Sequence, residues 1–363
     1  MAVYLKDKIR NIAVIGHSGE GKTSLVEAIL YKTKAIERLG KVDEGNTTSD
    51  YDQEEIARGM SISLSLAYTD HKGYKLNIID VPGFFDFEGE MISALSVADT
   101  AIIVTMASGT LTVGTEKAID YCLEKGVPMY LFVNGVNKEN TDYFKTIDAI
   151  REKYSNKVTP LELPIMDGYD MKGYVDVASL TAYDLDHNPI DLPQNLKDKA
   201  EEYNLALTEF AAEASDELLE KFFSGEELTL EEKRQGLKLR MMNAELIPAV
   251  AGVAVGKPVL ANLLDNIISL FPSPAEMPSR KAKKMDGEEI EVKCDENEKF
   301  SCQIFKTIID KFLGKVQLFK VASGKVKVGD AIYNTSKDKG EKVSSILLLK
   351  GNKSKNIDEI CAG

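Results

Sequence analysis

The chain has 363 residues, four cysteines, 44% hydrophobic residues and a formal net charge of −13. That length allows two or three domains with a sizeable core, and no apolar run approaches a membrane span. The acidic balance argues against loose coating of nucleic acid, free DNA included, while docking to a defined ribonucleoprotein surface stays open. The start, Met-Ala-Val-Tyr-Leu-Lys-Asp, lacks a secretory pattern. Cys122, Cys294, Cys302 and Cys361 form no CxxC and have no histidine neighbours. A disulfide framework or zinc site is therefore not expected, and a reducing cytoplasm fits.

In chain order, Asn11 to Gly16 reads as a short apolar strand entering a glycine turn. Lys22 to Tyr31 reads as a helix with Leu25, Ala28 and Ile29 on one face. Ile62 to Leu66 alternates apolar residues with Ser, as a half-buried strand does. Tyr74 to Asp80, Ala101 to Ala107 and Met129 to Asn134 are further strands. Glu88 to Val97, Thr115 to Glu124 and Tyr143 to Tyr154 supply the helices between them. This alternation predicts an α/β domain, a mostly parallel sheet with helices on both faces.

From about 158 to 245 the pattern changes to short strands, Leu161 to Ile165 and Gly173 to Ala178, then acidic helices from Leu196 to Phe223 and Leu230 to Met242. We read an inserted α+β subdomain, and the acidic helices as a solvated face. Ile247 to Val255 and a helix from Val259 to Leu270 return to the first pattern, and Pro272-Ser273-Pro274 ends it. The first domain is thus 1–280 and a charged linker 281–297. From 298 to 363 the chain reads as all-β, a barrel with strands Phe300 to Lys306, Leu313 to Ala322, Ala331 to Asn334 and Val343 to Leu349. So few strands would leave an open edge, and a fragment of a longer protein is expected.

The chemistry concentrates in four places. Gly16-His17-Ser18-Gly19-Glu20-Gly21-Lys22-Thr23 meets GxxxxGK[ST] in full, between strand and helix. Backbone N–H groups of such a loop, continuing through Ser24, converge on phosphate oxygens at a helix N-terminus. Lys22 is placed for the terminal phosphates of a purine nucleoside triphosphate, and the Thr23 hydroxyl for magnesium. Asp80-Val81-Pro82-Gly83 closes an apolar strand, where a carboxylate can hold magnesium through water and Gly83 N–H can meet the γ-phosphate. Ser61, in Arg58-Gly59-Met60-Ser61, is either a second hydroxyl ligand or a solvent-facing strand start. The polar stretch from Lys41 to Glu55 before it suits a loop that orders around magnesium and the γ-phosphate. Asn134-Gly135-Val136-Asn137 follows a strand where a base-reading loop would sit, although Asn-Gly is also a common turn.

Taken together, GHxxxGKT, RGxS, DxPG and the Asn-containing loop resemble translational GTPases, nearest elongation factor G and its paralogues. Gly40-Lys41-Val42-Asp43-Glu44-Gly45 and Arg58 to Ile62 resemble that family's switch I. Leu163-Pro164-Ile165, Lys172-Gly173, Ala182-Tyr183 and Asp216 to Lys221 resemble its subdomain inserted in the G domain. Phe312-Leu313-Gly314-Lys315 and Val321 to Gly324 resemble its second, barrel domain. The resemblance implies binding of GTP and GDP with magnesium and hydrolysis of GTP on the ribosome during tRNA–mRNA translocation, and nothing in the sequence suggests anything but a monomer.

Four departures bear on chemistry. Phe84 stands where the family has a histidine after DxPG and offers no donor or acceptor to the attacking water, so hydrolysis is expected to be slow and no catalytic residue is assigned. Gly19 replaces the P-loop Asp, and Glu20, one position on, is the candidate substitute. The base-reading Asn-Lys-x-Asp aligns as Asn134-Gly135-Val136-Asn137, without the Lys stem. Asn137 offers one acceptor where Asp accepts twice, a loss of roughly 1.5–3 kcal/mol. A register at Asn137-Lys138-Glu139-Asn140 would restore the Lys. The last motif reads Val253-Ala254, leaving the Ala254 N–H to donate to guanine O6. A second reading is a non-hydrolysing ribosome-binding module with a structural G domain.

Overall fold

A computed structural model describes residues 4–284, 287–310 and 314–363. The start read for a leader (Met1 to Val3), Met285-Asp286 of the linker and Phe312-Leu313 of the barrel motif fall outside them.

The first unit is built on β1 (Ile9–Ile15), α1 (Lys22–Lys32), α2 (Gln53–Arg58), β2 (Ser65–His71), β3 (Tyr74–Asp80), α3 (Glu88–Leu95), β4 (Thr100–Met106), α4 (Val113–Lys125), β5 (Met129–Asn134) and α5 (Tyr143–Tyr154). The inserted part follows as β6 (Val158–Pro160), β7 (Glu162–Asp167), β8 (Asp170–Asp176), β9 (Thr181–Asp184), β10 (Pro189–Ile190), α6 (Gln194–Ala212), α7 (Asp216–Phe223) and α8 (Leu230–Met242). Then β11 (Ile247–Gly252) and α9 (Leu263–Leu270) complete the unit. The sheet order is β2-β3-β1-β4-β5-β11-β6, parallel throughout except β2 against β3. Strands β1 and β5 are buried at every position, as strands covered on both faces must be. Their carboxyl ends therefore share one edge, where the loops after β1, β3, β5 and β11 meet.

The acidic region breaks into two helices because Ser215 caps α7, accepting from the Leu218 N–H at 3.3 Å. No residue of α7 is fully buried, although Leu218, Leu219 and Phe222 pack their half-buried side chains against the core. Helix α9 starts later than the predicted Val259 because Val253 and Val259 exchange N–H···O bonds, both 2.8 Å. The predicted strand Ile62 to Leu66 begins only at Ser65. Ile62 and Ser63 N–H groups donate instead to Glu55 Oε1, at 3.0 and 3.1 Å.

The charged segment after Pro278 is a hairpin of β12 (Arg280–Lys283) and β13 (Glu289–Val292), not a featureless connection. The β-rich unit follows: β14 (Ser301–Asp310), β15 (Gly314–Ser323), β16 (Lys325–Lys327), β17 (Ala331–Asn334), β18 (Lys339–Lys342), β19 (Ile346–Lys350), β20 (Lys353–Ile357) and β21 (Glu359–Cys361). These pair as β14-β15, β16-β21, β17-β18 and β19-β20, all antiparallel. Lys320 of β15, its side chain 11% exposed, packs against the first unit, donating to Asp99 Oδ1 at 2.5 Å and Val97 O at 2.9 Å.

Glu162 lies wholly buried where the insertion meets the sheet. It accepts from Asn266 Nδ2 at 2.7 Å. Burial, helped by nearby Asp176, pushes its carboxyl up to about 8. The folded state therefore binds a proton that the unfolded chain has released above the ordinary carboxylate range. Stability falls as pH rises from about 5 to 8. Glu162→Gln keeps an acceptor for Asn266 without a charge to desolvate. It should melt higher than the parent at pH 8, with the gap closing by pH 5, as followed by circular dichroism.

Candidate nucleotide-binding site

The loop after β1 turns over the start of α1, and Gly21 makes that turn in the left-handed region, φ +95°. A side chain there would overlap the Asn134 amide. That close approach lets Asn134 Nδ2 donate to the Glu20 carbonyl at 2.8 Å, tying the β5 loop to the phosphate loop. Lys22 is buried, with its ammonium donating to the His17 carbonyl at 2.7 Å. Burial pulls its pKa down, against Asp80, Glu20 and Asp50, which raise it.

Asp80 ends β3 directly beneath this loop, 2% exposed. Neither carboxylate oxygen has a hydrogen-bond partner of ordinary geometry. Burial, reinforced by Asp50, pushes it up to about 7, and the Ser49 and Thr23 hydroxyls and Lys22 only partly oppose this. Thr23 Oγ1 lies 3.2 Å from Ser61 Oγ, and Ser61 donates to Asp50 Oδ1 at 2.7 Å. Ser61 is thus brought to Thr23 rather than turned to solvent. Asp50, whose pKa burial also raises, joins the cluster, although its sequence context reads as a polar loop. Gly83 packs so closely that a Cβ there would overlap the Lys22 ammonium and the Ser18 N–H.

These donors suit magnesium: two hydroxyls and an orphaned buried carboxylate beside a cradle of N–H groups form a hard, oxygen-only set. Among the described residues no group of three or more His, Cys, Asp or Glu side chains could hold a metal alone. A cation here needs phosphate oxygens to complete its shell.

Glu20 does not reach into the cradle. It accepts from the Thr112 hydroxyl at 2.9 Å, from the Thr115 hydroxyl at 2.9 Å and from the His17 N–H at 3.2 Å. Its longer side chain turns back to the start of α4, so it is not posed as a substitute for the P-loop Asp. Gly19 is exposed, while Ser18 and Ser24 are half-buried. His17 packs its ring 5.8 Å from that of Phe85, in keeping with local packing. Phe84 is 39% exposed and carries no polar atom.

On the base side, Asn134 is buried and accepts the Ala254 N–H at 2.9 Å. The Ala254 N–H, expected to donate to a base, is taken up by the neighbouring Asn134 amide oxygen in this ligand-free structure. Val253 is held by its bridge to Val259. Asn137 is exposed, outside this hydrogen-bonded group. Gly135 has φ +73°, and a Cβ there would overlap the Met106 methyl and lie 3.5 Å from Lys138 Cδ. The Lys138 stem therefore covers the place that the missing Lys side chain would leave from.

Residues 7–273 match the family described as elongation factor Tu GTP binding domain. The chain belongs to the translational GTPases. Residues 299–363 of this translational GTPase match elongation factor G domain 2. Among curated relatives, it is 34% identical to elongation factor G of Thermotoga sp. strain RQ2, over 98% of this chain and 52% of the relative. It is 33% identical to elongation factor G of Thermotoga maritima, over 98% of this chain and 53% of the relative. A crystal structure of a Thermus thermophilus protein superimposes with TM-score 0.85 at 27% identity, over 98% of this chain and 51% of that one. The chain thus spans about half the length of the relatives it matches. Among the described residues no helix is long and apolar enough to cross a membrane.

Asp80→Asn removes the buried charge while keeping the shape. We expect the ligand-free variant to melt no lower than the parent. The ratio of nucleotide affinities with magnesium and with EDTA should fall from well above 10 toward 1, about 1.4 kcal/mol or more of lost coupling, as read by calorimetry.

Proposed function

We propose that this translational GTPase binds GTP and GDP with magnesium and acts on the ribosome in elongation, at the translocation step, with slow hydrolysis. The observation that carries the reading is Asp80: a buried carboxylate without a hydrogen-bond partner, beside Lys22, Thr23 and Ser61. Such a group is costly alone and favourable beside a divalent cation with phosphates.

In this reading the loop N–H groups of Gly16 to Ser24 and of Gly83 orient the phosphate oxygens. Lys22 offsets charge on the terminal phosphates. Thr23 and Ser61 would hold magnesium directly and Asp80 through water; bound there, the ion would neutralise charge developing on the phosphates. Asn134 holds the base-side loop against the P-loop, and Asn137, Val253 and Ala254 are the candidate base contacts. Phe84 neither accepts nor donates a proton, so nothing at that position orients water.

A specific observation favours a second reading, a ribosome-binding module that holds nucleotide passively or not at all. The Ala254 N–H and Asn134 satisfy each other instead of a base, and Phe84, one residue after Gly83, presents an exposed apolar ring.

Single-turnover GTP hydrolysis with and without ribosomes tests the first reading. We expect slow turnover that ribosomes accelerate. Phe84→His should raise the stimulated rate by roughly 10²-fold, the lower range of a positioned proton acceptor. Failure of any purine nucleotide to bind at millimolar magnesium supports the second reading. Asn137→Asp should improve discrimination of GDP over ADP by about 10- to 100-fold, from about 1.5–3 kcal/mol of restored charged hydrogen bonding, measured by competition.

A further inference from the structure

Residues 61–64 run past the candidate nucleotide site, and carboxylates hold them in place. Ser61 is held by Asp50 at 2.7 Å, Ile62 and Ser63 by Glu55 at 3.0 and 3.1 Å, and Leu64 N–H by Glu90 at 2.7 Å. Asp50 and Glu55 belong to the same stretch of chain. Glu90 does not: it sits on α3, the helix that follows Asp80-Val81-Pro82-Gly83.

The same Glu90 oxygen also receives the ammonium of Lys306, from β14 of the β-rich unit. The Lys306 side chain is 13% exposed and that of Glu90 24%. A pair this far from water is not the weak, screened kind found on open surfaces. Losing one partner leaves the other poorly solvated. Gln303, three residues earlier on β14, donates to Ser96 Oγ at 3.1 Å just past the end of α3, fixing the strand along that helix.

The β-rich unit touches the other flank as well. Gly351, in the turn between β19 and β20, donates to Leu66 O at 2.8 Å. It lies so close to the Thr48 carbonyl that a Cβ would overlap it. Lys350 donates to Ala35 O at 3.1 Å. Segment 40–64 is thus bracketed by one unit at both ends.

We propose that Glu90 is a positioning residue through which Lys306 of the β-rich unit sets the place of Ser61, so that this unit is a working part of the nucleotide switch. The proposal rests on the reading of Ser61 as a hydroxyl of the nucleotide site. Lys306 orients the Glu90 carboxylate, Glu90 holds the Leu64 amide, and Leu64 limits where Ser61 sits, three residues before it. A ligand that engages Ser61 gains from this order, whereas one that does not engage it gains nothing. By reciprocity, the triphosphate should also tighten the contact between the units.

The test uses the 363-residue chain and its variants Lys306→Met, Glu90→Ala and Lys306→Arg. Hydrogen exchange of the Leu64 amide is followed without nucleotide, with β5 amides as the internal reference. We expect Lys306→Met and Glu90→Ala to speed Leu64 exchange by about 10-fold, leaving β5 unchanged. The affinity for an imido analogue of GTP should fall about 5- to 10-fold and that for GDP by less than about 2-fold, within the usual range of coupling between sites. Lys306→Arg should restore both readouts. Unchanged Leu64 exchange in Lys306→Met, or equal weakening of both nucleotides, overturns the proposal. Should the parent chain bind no nucleotide, the proposed function fails, and Leu64 exchange alone decides the coupling.

Discussion

Lys22 and Asp80 share a space beneath the phosphate loop that almost no water reaches, and the surrounding architecture follows from the cost of keeping them there. A buried carboxylate without hydrogen-bond partners is unstable unless the scaffold holds it firmly. Here the scaffold is the fully buried β1 and the buried end of β3 beside it, which bring Asp80 and the loop to one sheet edge. The parallel register pairs Val14 with Asp80, so the strand that leads into the loop also fixes the carboxylate below it. Strain of this kind is tolerable in a large apolar sheet and not on a surface loop.

The other parts of the site spread outward from that pair. Asn134 couples the base-side loop to the P-loop through the Glu20 carbonyl, and to the β11 loop through the Ala254 N–H. Glu20 spends its carboxylate on the start of α4, where negative charge is favoured by the helix N-terminus. Two residues that could have faced a ligand are therefore structural in this arrangement. Of the positions that depart from the family pattern, Phe84, Gly19 and Asn137 face outward, whereas Gly135 and Val253 are buried.

Much of this was legible in the sequence, because the strands and the P-loop are local signals. A glycine loop between an apolar strand and a helix carries its own geometry, and so does a carboxylate ending the strand YKLNIID. The position of Ser61 was not legible, since it depends on how residues 41–60 fold back on α1. The tethers Glu27, Glu55 and Glu90 were missed for the same reason. Glu27 accepts the Gly40 and Thr48 N–H groups at 3.1 and 2.9 Å, yet on a helix it reads as a solvated charge. The predicted strand from Ile62 failed because these side chains took the backbone donors that a ladder would have used. The hairpin β12-β13 was read as a linker because its alternation is of charges, not of apolar residues.

Around the Lys22 ammonium stand Asp80, Glu20 and Asp50, three carboxyl groups against one cation. A nucleoside triphosphate brings more negative charge into this neighbourhood, and at short range in a poorly solvated site like charges repel strongly. The P-loop N–H groups supply only partial positive charge. The arrangement therefore favours a nucleotide that arrives with its divalent cation over the bare anion. A high pKa at Asp80 belongs to the ligand-free chain and should fall when positive charge is added beside it. The same acidic surroundings that leave Asp80 poorly accommodated alone would thus make metal and phosphate binding depend on each other under the proposed function.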